Sequence, residues 1–422
     1  MHELTAHGFA TKRPSVGRFY VLALALVGHS AGAEPVDEKA GIRLVCTRGP
    51  GAAMAHARAL RGAAGVMSAN VLPNPTLRAE HQRALGGVDD QETIIGLSVP
   101  LGIGGRRFIL QDAAAARREE AMFDADLGLF EAALAFREAY VAAVVDRARV
   151  EALSEEQAAL DALTQTIHGL TKGGEMASYD ALRQETHARS HRRLLSSIKA
   201  RAAGSRVALE AWTGASVDLP AIALIDLAGS DEASAQSLAR HPRLRQLEAE
   251  SRASALEASA ARRRWVPDLE LFAGYREATV ATQTARGISI SLAVPLTFFD
   301  HGQGEAAIAD ADEGLARATA EGARRHNAAL YAAAALRLGD LTASLDHAAT
   351  ADAATLRDKA TVLYAAGEAT ITELLEAFRA SEEARLGVID TAEEIALLRI
   401  AEMRAAGSLF DEELDKVCSV TR

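Results

Sequence analysis

The sequence predicts a mainly α-helical chain with a small membrane β part, written as two repeats of helix–strand–strand–long helix–turn–helix. Three observations predict it. Short segments recur in the same order at near-constant spacing. Each copy holds two stretches in which apolar residues alternate with small or polar ones. Each copy then runs into a long Ala- and charge-rich stretch with heptad spacing. Composition agrees: 49% of residues are hydrophobic, but only 5% are aromatic and 24% are charged. That balance belongs to long helices and coiled coils rather than to a compact enzyme core.

Residues 1–33 read as a secretory signal. Lys12, Arg13 and Arg18 form the positive region, Phe19 to Gly28 the apolar run, and Ala31-Gly32-Ala33 a small-x-small cleavage site. Beyond it no run of 18 apolar residues remains, so no spanning helix is expected. The chain is therefore expected to be exported, and either free in the periplasm or held in an outer membrane by strands. Its net charge of −11 argues against nucleic acid as a partner. Cys46 and Cys418 lie near the two ends of the exported chain. In an oxidising compartment a disulfide between them and two separate thiols both remain open.

The repeats are expected at 34–240 and 241–422. Pro75 of "NPTLRAEHQR" matches Pro267 of "VPDLELFAGYR", 192 positions on. Pro100 of "TIIGLSVPL" matches Pro295 of "ISISLAVPL", 195 on, and Gly174 of "GEMASYDALRQ" matches Gly367 of "GEATITELLEA", 193 on. Such order at such spacing marks an internal duplication. Each repeat opens with a helix (about 50–72 and 242–265) that ends at a Pro. Residues 34–48, ahead of the first, are short and irregular in sequence, and their structure stays open. Strands follow at about 75–85 and 92–101, and at about 267–277 and 287–297, joined by polar loops (86–91 and 278–286). Long helices run from about 105 to 171 and from about 302 to 365, each about 100 Å long at 1.5 Å per residue. Gly-Glu turns reverse them into return helices at about 177–213 and 370–406. The segment 214–240 is expected to be a joining loop. Leu160, Leu163, Ile167 and Leu170 are spaced 3-4-3, and Leu127, Leu134 and Val141 by seven, as coiled-coil packing requires.

The strands carry the membrane reading. Thr93, Ile95, Leu97, Val99 and Leu101 line one face of the second strand, with Ile94, Gly96, Ser98 and Pro100 on the other. Ile288, Ile290, Leu292, Val294 and Leu296 repeat that face, backed by Ser289, Ser291, Ala293 and Pro295. One apolar and one small or polar face over about ten residues suits a barrel strand between lipid and a wet interior. Four strands cannot close a barrel, and an open edge cannot sit in lipid. Three symmetric copies would supply twelve strands and a lumen wide enough for water.

The twofold plan resembles the TolC family of outer-membrane efflux proteins over nearly all of the exported chain. Within it, "NPTL", "ETIIGLSVPLGIGGRR" and "VPLTFFDHGQG" look most like the heavy-metal efflux branch of CzcC- and CusC-like proteins. The resemblance implies a homotrimer with a 12-stranded β-barrel in outer-membrane lipid and an α-helical tunnel in the periplasm. It also implies docking onto a periplasmic membrane-fusion adaptor and an inner-membrane pump of the RND type. The expected role is a passive exit duct with no cofactor, exporting heavy-metal cations. The alternatives are a drug-efflux or type I secretion duct of the same fold, and, from another class, a soluble periplasmic coiled-coil scaffold.

The two turn tips, with Gly174, Glu175 and Asp180 in one and Gly367 and Glu368 in the other, are the expected adaptor-docking places. By resemblance the second tip also forms the periplasmic gate, and the family's gate acids fall on Glu373 and Glu376 and its gate tyrosine on Tyr364. The arginine found in this turn in the family's best-known member is Ala369 here. Three copies of both acids around a narrow mouth would attract cations. No firm metal site is expected. His187 and His191, four apart on one helix face, are candidates for a metal contact, and Arg189, Arg192 and Arg193 beside them oppose it. "GIGGR" does not complete a dinucleotide fingerprint, and no hydrolase or zinc-protease motif occurs, so no enzyme is expected.

Overall fold

A computed structural model describes residues 36–86, 90–174, 177–219, 240–344 and 347–420. The signal segment 1–33, Glu175 and most of the 214–240 joining segment lie outside the described residues.

The chain opens with helix α1, Glu38–Arg48. Most of 34–48, irregular in sequence, is therefore helical. Asp37 caps the helix by accepting from the Ala40 amide at 2.7 Å, and Glu38 and Arg48 suit the two ends of the helix dipole. Ile42, Val45 and Cys46 are its buried stripe. Helix α2, Pro50–Asn70, starts with Pro at its first position, where no amide is missed. Strands β1 (Thr76–Arg83) and β2 (Asp90–Leu101) follow. Helix α3, Arg106–Lys172, then runs 67 residues unbroken, about 100 Å. Helix α4, Ser178–Thr213, returns and ends at left-handed Gly214.

The second repeat matches. Helix α5 spans Pro242–Arg262, followed by a 3₁₀ turn at Arg263–Trp265, β3 (Leu269–Val280) and β4 (Gln283–Ala293). Helices α6 (Gln303–Ser344) and α7 (His347–Ala365) cover the second long stretch, and α8 (Ile371–Ala406) returns, ending at left-handed Gly407. A short α9, Glu412–Val417, closes the chain.

The expected polar loop at 278–286 is instead mostly strand. β3 runs to Val280 and β4 starts at Gln283, so a two-residue turn at Ala281-Thr282 joins them, with Ala281 at φ 54°. Thr279, Val280 and Thr284 are β-branched and favour the extended backbone. β4 in turn ends at Ala293, short of the expected 297.

The strands form one antiparallel sheet in the order β1-β2-β3-β4, so the two repeats meet at β2 and β3. Strand becomes helix over a left-handed glycine in both repeats, Gly105 (φ 69°) and Gly302 (φ 87°), a backbone state that costs a side-chain-bearing residue free energy. These are the pivots that let a sheet continue into a helical wall.

Helix α3 is the spine. It packs on α2 and α5 near the sheet and on α4 and α8 farther along, while α6 packs on α5 and α8. The larger core cluster gathers Ile42 and Val45 of α1, Leu134, Phe136 and Val141 of α3, and Ile400 and Met403 of α8. Cys46 and Cys418 are joined by a disulfide, their Cα atoms 5.1 Å apart. Lys39–Asp411 (2.9 Å) and Arg43–Glu413 (2.6 Å) tie the same two chain ends from outside. A second cluster near the helix tips joins Leu160, Leu163 and Ile167 of α3 to Ala188 of α4 and Ile371, Leu374, Leu375 and Phe378 of α8.

Candidate functional site

Two regions carry the geometry of interest, the sheet and the helix tips. In the sheet, register brings like residues side by side. Ala79, Ile95, Tyr275 and Ile288 form one row, Leu77, Leu97, Ala273 and Ile290 the next, and Val99, Leu271 and Leu292 a third. This face is bare: Ile288, Ile290 and Leu292 are 83%, 72% and 57% exposed. An apolar face of that breadth calls for lipid or another chain over it. The next row, His81, Thr93, Glu277 and Arg286, is polar and bounds the apolar band at its far end.

The opposite face is small and polar. Its rows are Arg78, Gly96, Gly274 and Ser289, and Thr76, Ser98, Phe272 and Ser291. Phe272 and Ile94 are apolar exceptions, and Phe272 is buried because its ring lies over Gly96 and Gly274. The Arg78 guanidinium stands 5.9 Å from the ring centroid. Ser98 donates to the Glu270 carboxylate, and Arg276 pairs with Glu92 at 2.5 Å. Among the described residues the outer edges of β1 and β4 pair with no strand.

At the tips the two turns are alike in backbone. Gly174 (φ 79°) and Gly367 (φ 74°) are both left-handed. The second turn is a Schellman motif: the Glu368 amide donates to the Leu363 carbonyl (2.9 Å) and the Gly367 amide to the Tyr364 carbonyl (3.0 Å). Asp180 and Glu373 hold the same place, three residues into α4 and α8. Their surroundings differ because Thr370 caps α8 where Ala177 stands before α4. Glu373 accepts from the Thr370 amide (2.7 Å) and hydroxyl (2.8 Å), and Thr370 Oγ1 accepts from the Glu373 amide (3.3 Å). This capping box, first through the Thr370 backbone bond, holds the Glu373 carboxyl below its ordinary range. Glu376 is exposed one turn on, and Glu368 is exposed in the turn. Tyr364 is half-buried against the second core cluster. Burial pushes its hydroxyl up, and the Asp180 charge adds to that.

These geometries compare directly with solved structures. No protein-family model matches the sequence. No curated protein matches it. The outer membrane protein VceC from Vibrio cholerae is similar, with a TM-score of 0.72 and 17% identity over 88% of this chain and 96% of that one. CusC, solved in the context of folding and transmembrane channel formation, gives 0.70 at 18% identity over 88% and 92%. A membrane protein from Pseudomonas aeruginosa gives 0.74 at 17% identity over 94% and 97%. The chain has the TolC-like outer-membrane channel fold.

Within the TolC-like fold, the tips carry cross-links between repeats that the sequence did not announce. Arg183 of α4 donates to Thr372 Oγ1 of α8 at 2.8 Å. Arg357 of α7 reaches Glu156 of α3 at 3.0 Å, and Glu156 is 2% exposed at its side chain. Burial pushes the Glu156 carboxyl up, against the pull of Arg357. Arg385 of α8 pairs with Glu155 of α3 at 2.5 Å. These partners are about two hundred residues apart, so no local pattern marks them. The capping box is different: Thr-x-x-Glu is a readable signature that the sequence reading passed over.

His187 and His191 do share a face of α4, but the face is not the solvated one. His187 is half-buried and His191 only 4% exposed, turned toward α3 and α8. Burial lowers both imidazoles' affinity for a proton. The arginines beside them are engaged: Arg189 with Glu185, and Arg192 with Asp161 at 2.9 Å. Among the described residues no three His, Cys, Asp or Glu side chains converge as a ready-made metal site.

Proposed function

We propose that this chain is the outer-membrane exit duct of a tripartite efflux system and that its cargo is heavy-metal cations. The observation that carries the duct reading is the bare apolar face of a four-stranded sheet that continues, over two glycine pivots, into long helices, α3 alone running 67 residues, about 100 Å. Lipid is the natural cover for that face, and two open edges in lipid require further copies. Three copies close twelve strands, put Ser289 and Ser291 on a wet lumen, and align the helices as a tunnel in the periplasm. Residues 1–33 deliver the chain to the envelope. The protein is a channel rather than an enzyme, and the energy comes from an inner-membrane pump of the RND type reached through a periplasmic adaptor.

The tips supply the rest. Gly174, Glu175, Asp180, Gly367 and Glu368 form the adaptor-docking end. Glu373, Glu376 and Tyr364 surround the gate. Glu373 stays ionised because its capping box favours the carboxylate, so a threefold ring of these acids draws cations to the mouth. Metal is favoured over drug or protein cargo by "ETIIGLSVPLGIGGRR" and "VPLTFFDHGQG", which resemble the heavy-metal branch.

A strain deleted for the gene, grown across Zn²⁺, Co²⁺, Cd²⁺, Ni²⁺, Cu⁺, Ag⁺ and a drug panel, tests the cargo. Sensitivity to a subset of metals, restored by the wild-type gene and not by Glu373→Ala/Glu376→Ala, is the expected result. Sensitivity to drugs alone would remove the metal reading and leave the duct.

A further inference from the structure

A cleft of about 320 Å³ opens between α4 and α8 just above the tips, lined by His187, Ser190, His191, Leu194, Arg379, Glu382 and Glu383. At its floor His191 is 4% exposed, and its Nε2 has no hydrogen-bond partner. The tautomer can be read from the bonds around it. Gln157 Nε2 donates to Asp161 at 2.8 Å, which turns the Gln157 carbonyl toward His191. That carbonyl lies 2.9 Å from His191 Nδ1 and can only accept. The proton of the neutral ring is therefore on Nδ1, and the lone pair of Nε2 faces the cleft.

What it faces is Glu382 Oε2, 3.7 Å away. This is too long for a hydrogen bond. A lone pair turned on a carboxylate is repulsive unless a cation lies between or the carboxyl is protonated, and burial pushes the Glu382 carboxyl up. Zinc-class ions bind imidazole nitrogen and carboxylate oxygen at about 2.0–2.2 Å, which sets the two donors about 3.4 Å apart at the tetrahedral angle. The observed gap is within a few tenths of an ångström of that. An Nδ1–H held by a carbonyl, itself fixed by a carboxylate, is also the outer support that orients a metal-ligating histidine.

We propose that His191 Nε2 and Glu382 form a two-ligand site for a divalent transition-metal cation of the zinc class, its remaining positions filled by water. His187 and Glu383 line the same cleft. Arg379 is the cationic group in the cleft. The neutral state of His191, kept by burial and by His187 beside it, suits a ligand rather than an imidazolium. The bound ion staples the first repeat (α4) to the second (α8) beside the mouth, where these helices otherwise meet little. The site stands whether or not the duct carries metal.

Purified full-length protein in detergent, titrated with Co²⁺ by absorption spectroscopy and with Zn²⁺ by calorimetry, tests this. One ion per chain is expected, with a visible Co²⁺ band showing nitrogen ligation and a raised Tm. H191A and E382Q each weaken binding at least tenfold, whereas E373Q/E376Q leaves it unchanged. If H191A does not fold, as circular dichroism would show, E382Q carries the test. No uptake by the wild type at millimolar ion, equal uptake by E382Q, or a response to protons alone would overturn the site. Loss of binding only in E373Q/E376Q would place the ion at the mouth and overturn it as well.

Discussion

Gly96 and Gly274 face each other across β2 and β3, and the Phe272 ring lies over both. A Cβ on Gly274 would come within 2.6 Å of the Ile95 carbonyl and 2.7 Å of the ring, and one on Gly96 within 2.7 Å of the ring. The seam between the two repeats is therefore built for hydrogen at both positions. Gly96→Val or Gly274→Val is expected to cost at least about 1–3 kcal/mol by overpacking. Either should reduce the yield of assembled oligomer resistant to detergent, read on unheated gels, while Gly287→Ala, where no heavy atom lies within 4 Å, should not.

The two faces of β4 make opposite predictions. Ile290 lies on the exposed apolar face and Ser289 on the small, polar one. Ile290→Arg is expected to cost about 2–4 kcal/mol if it meets the bilayer midplane, and to lower membrane-inserted protein. Ser289→Arg should insert normally and change ion selectivity. Equal tolerance of both in membrane fractions would contradict the assignment of faces.

The Arg357–Glu156 pair bridges α7 and α3 with Glu156 almost fully buried. Removing the cation leaves a buried carboxylate unpaired, a loss of about 3–5 kcal/mol for a pair of this kind. Arg357→Met should lower Tm and loosen the tip, seen as larger conductance. Glu156→Gln in the same background should recover part of the Tm.

His241 caps α5 and touches the end of α8. Its Nδ1 accepts from the Arg243 amide at 3.0 Å and its Nε2 donates to the Arg404 carbonyl at 3.1 Å. Burial, the largest influence, lowers its pKa from the ordinary 6.5, against the Arg404 carbonyl and Glu131, with Arg243 adding to the lowering. As pH falls the unfolded chain takes this proton first. The contribution is complete above about pH 6.5 and is lost as pH falls through the lowered folded value. The Tm of the wild type should therefore fall from about pH 7 to 5, and His241→Asn, which keeps a cap without titrating, should flatten that slope.

Much of this architecture was legible in the sequence for physical reasons. Alternation at Ile95, Leu97 and Val99 can only be a two-faced strand, and Gly105 and Gly302 mark where a helix leaves it. The Cys46–Cys418 pairing was an open alternative because connectivity needs the fold. Helix α1 was missed because its stripe of Ile42, Val45 and Cys46 is short and pairs with residues at the far end of the chain. The β3–β4 turn was missed because Ala281-Thr282 carries no turn residue, and the sheet imposes φ 54° on Ala281. The burial of His191 was not legible because its partners, Gln157 and Glu382, come from two other helices.

Recording from the purified protein in a planar lipid bilayer tests the central claim most directly. The account predicts discrete, cation-preferring conductance steps from a detergent-requiring particle of three chains, with the preference reduced in Glu373→Ala/Glu376→Ala. A protein that stays in solution without detergent and adds no conductance would contradict it.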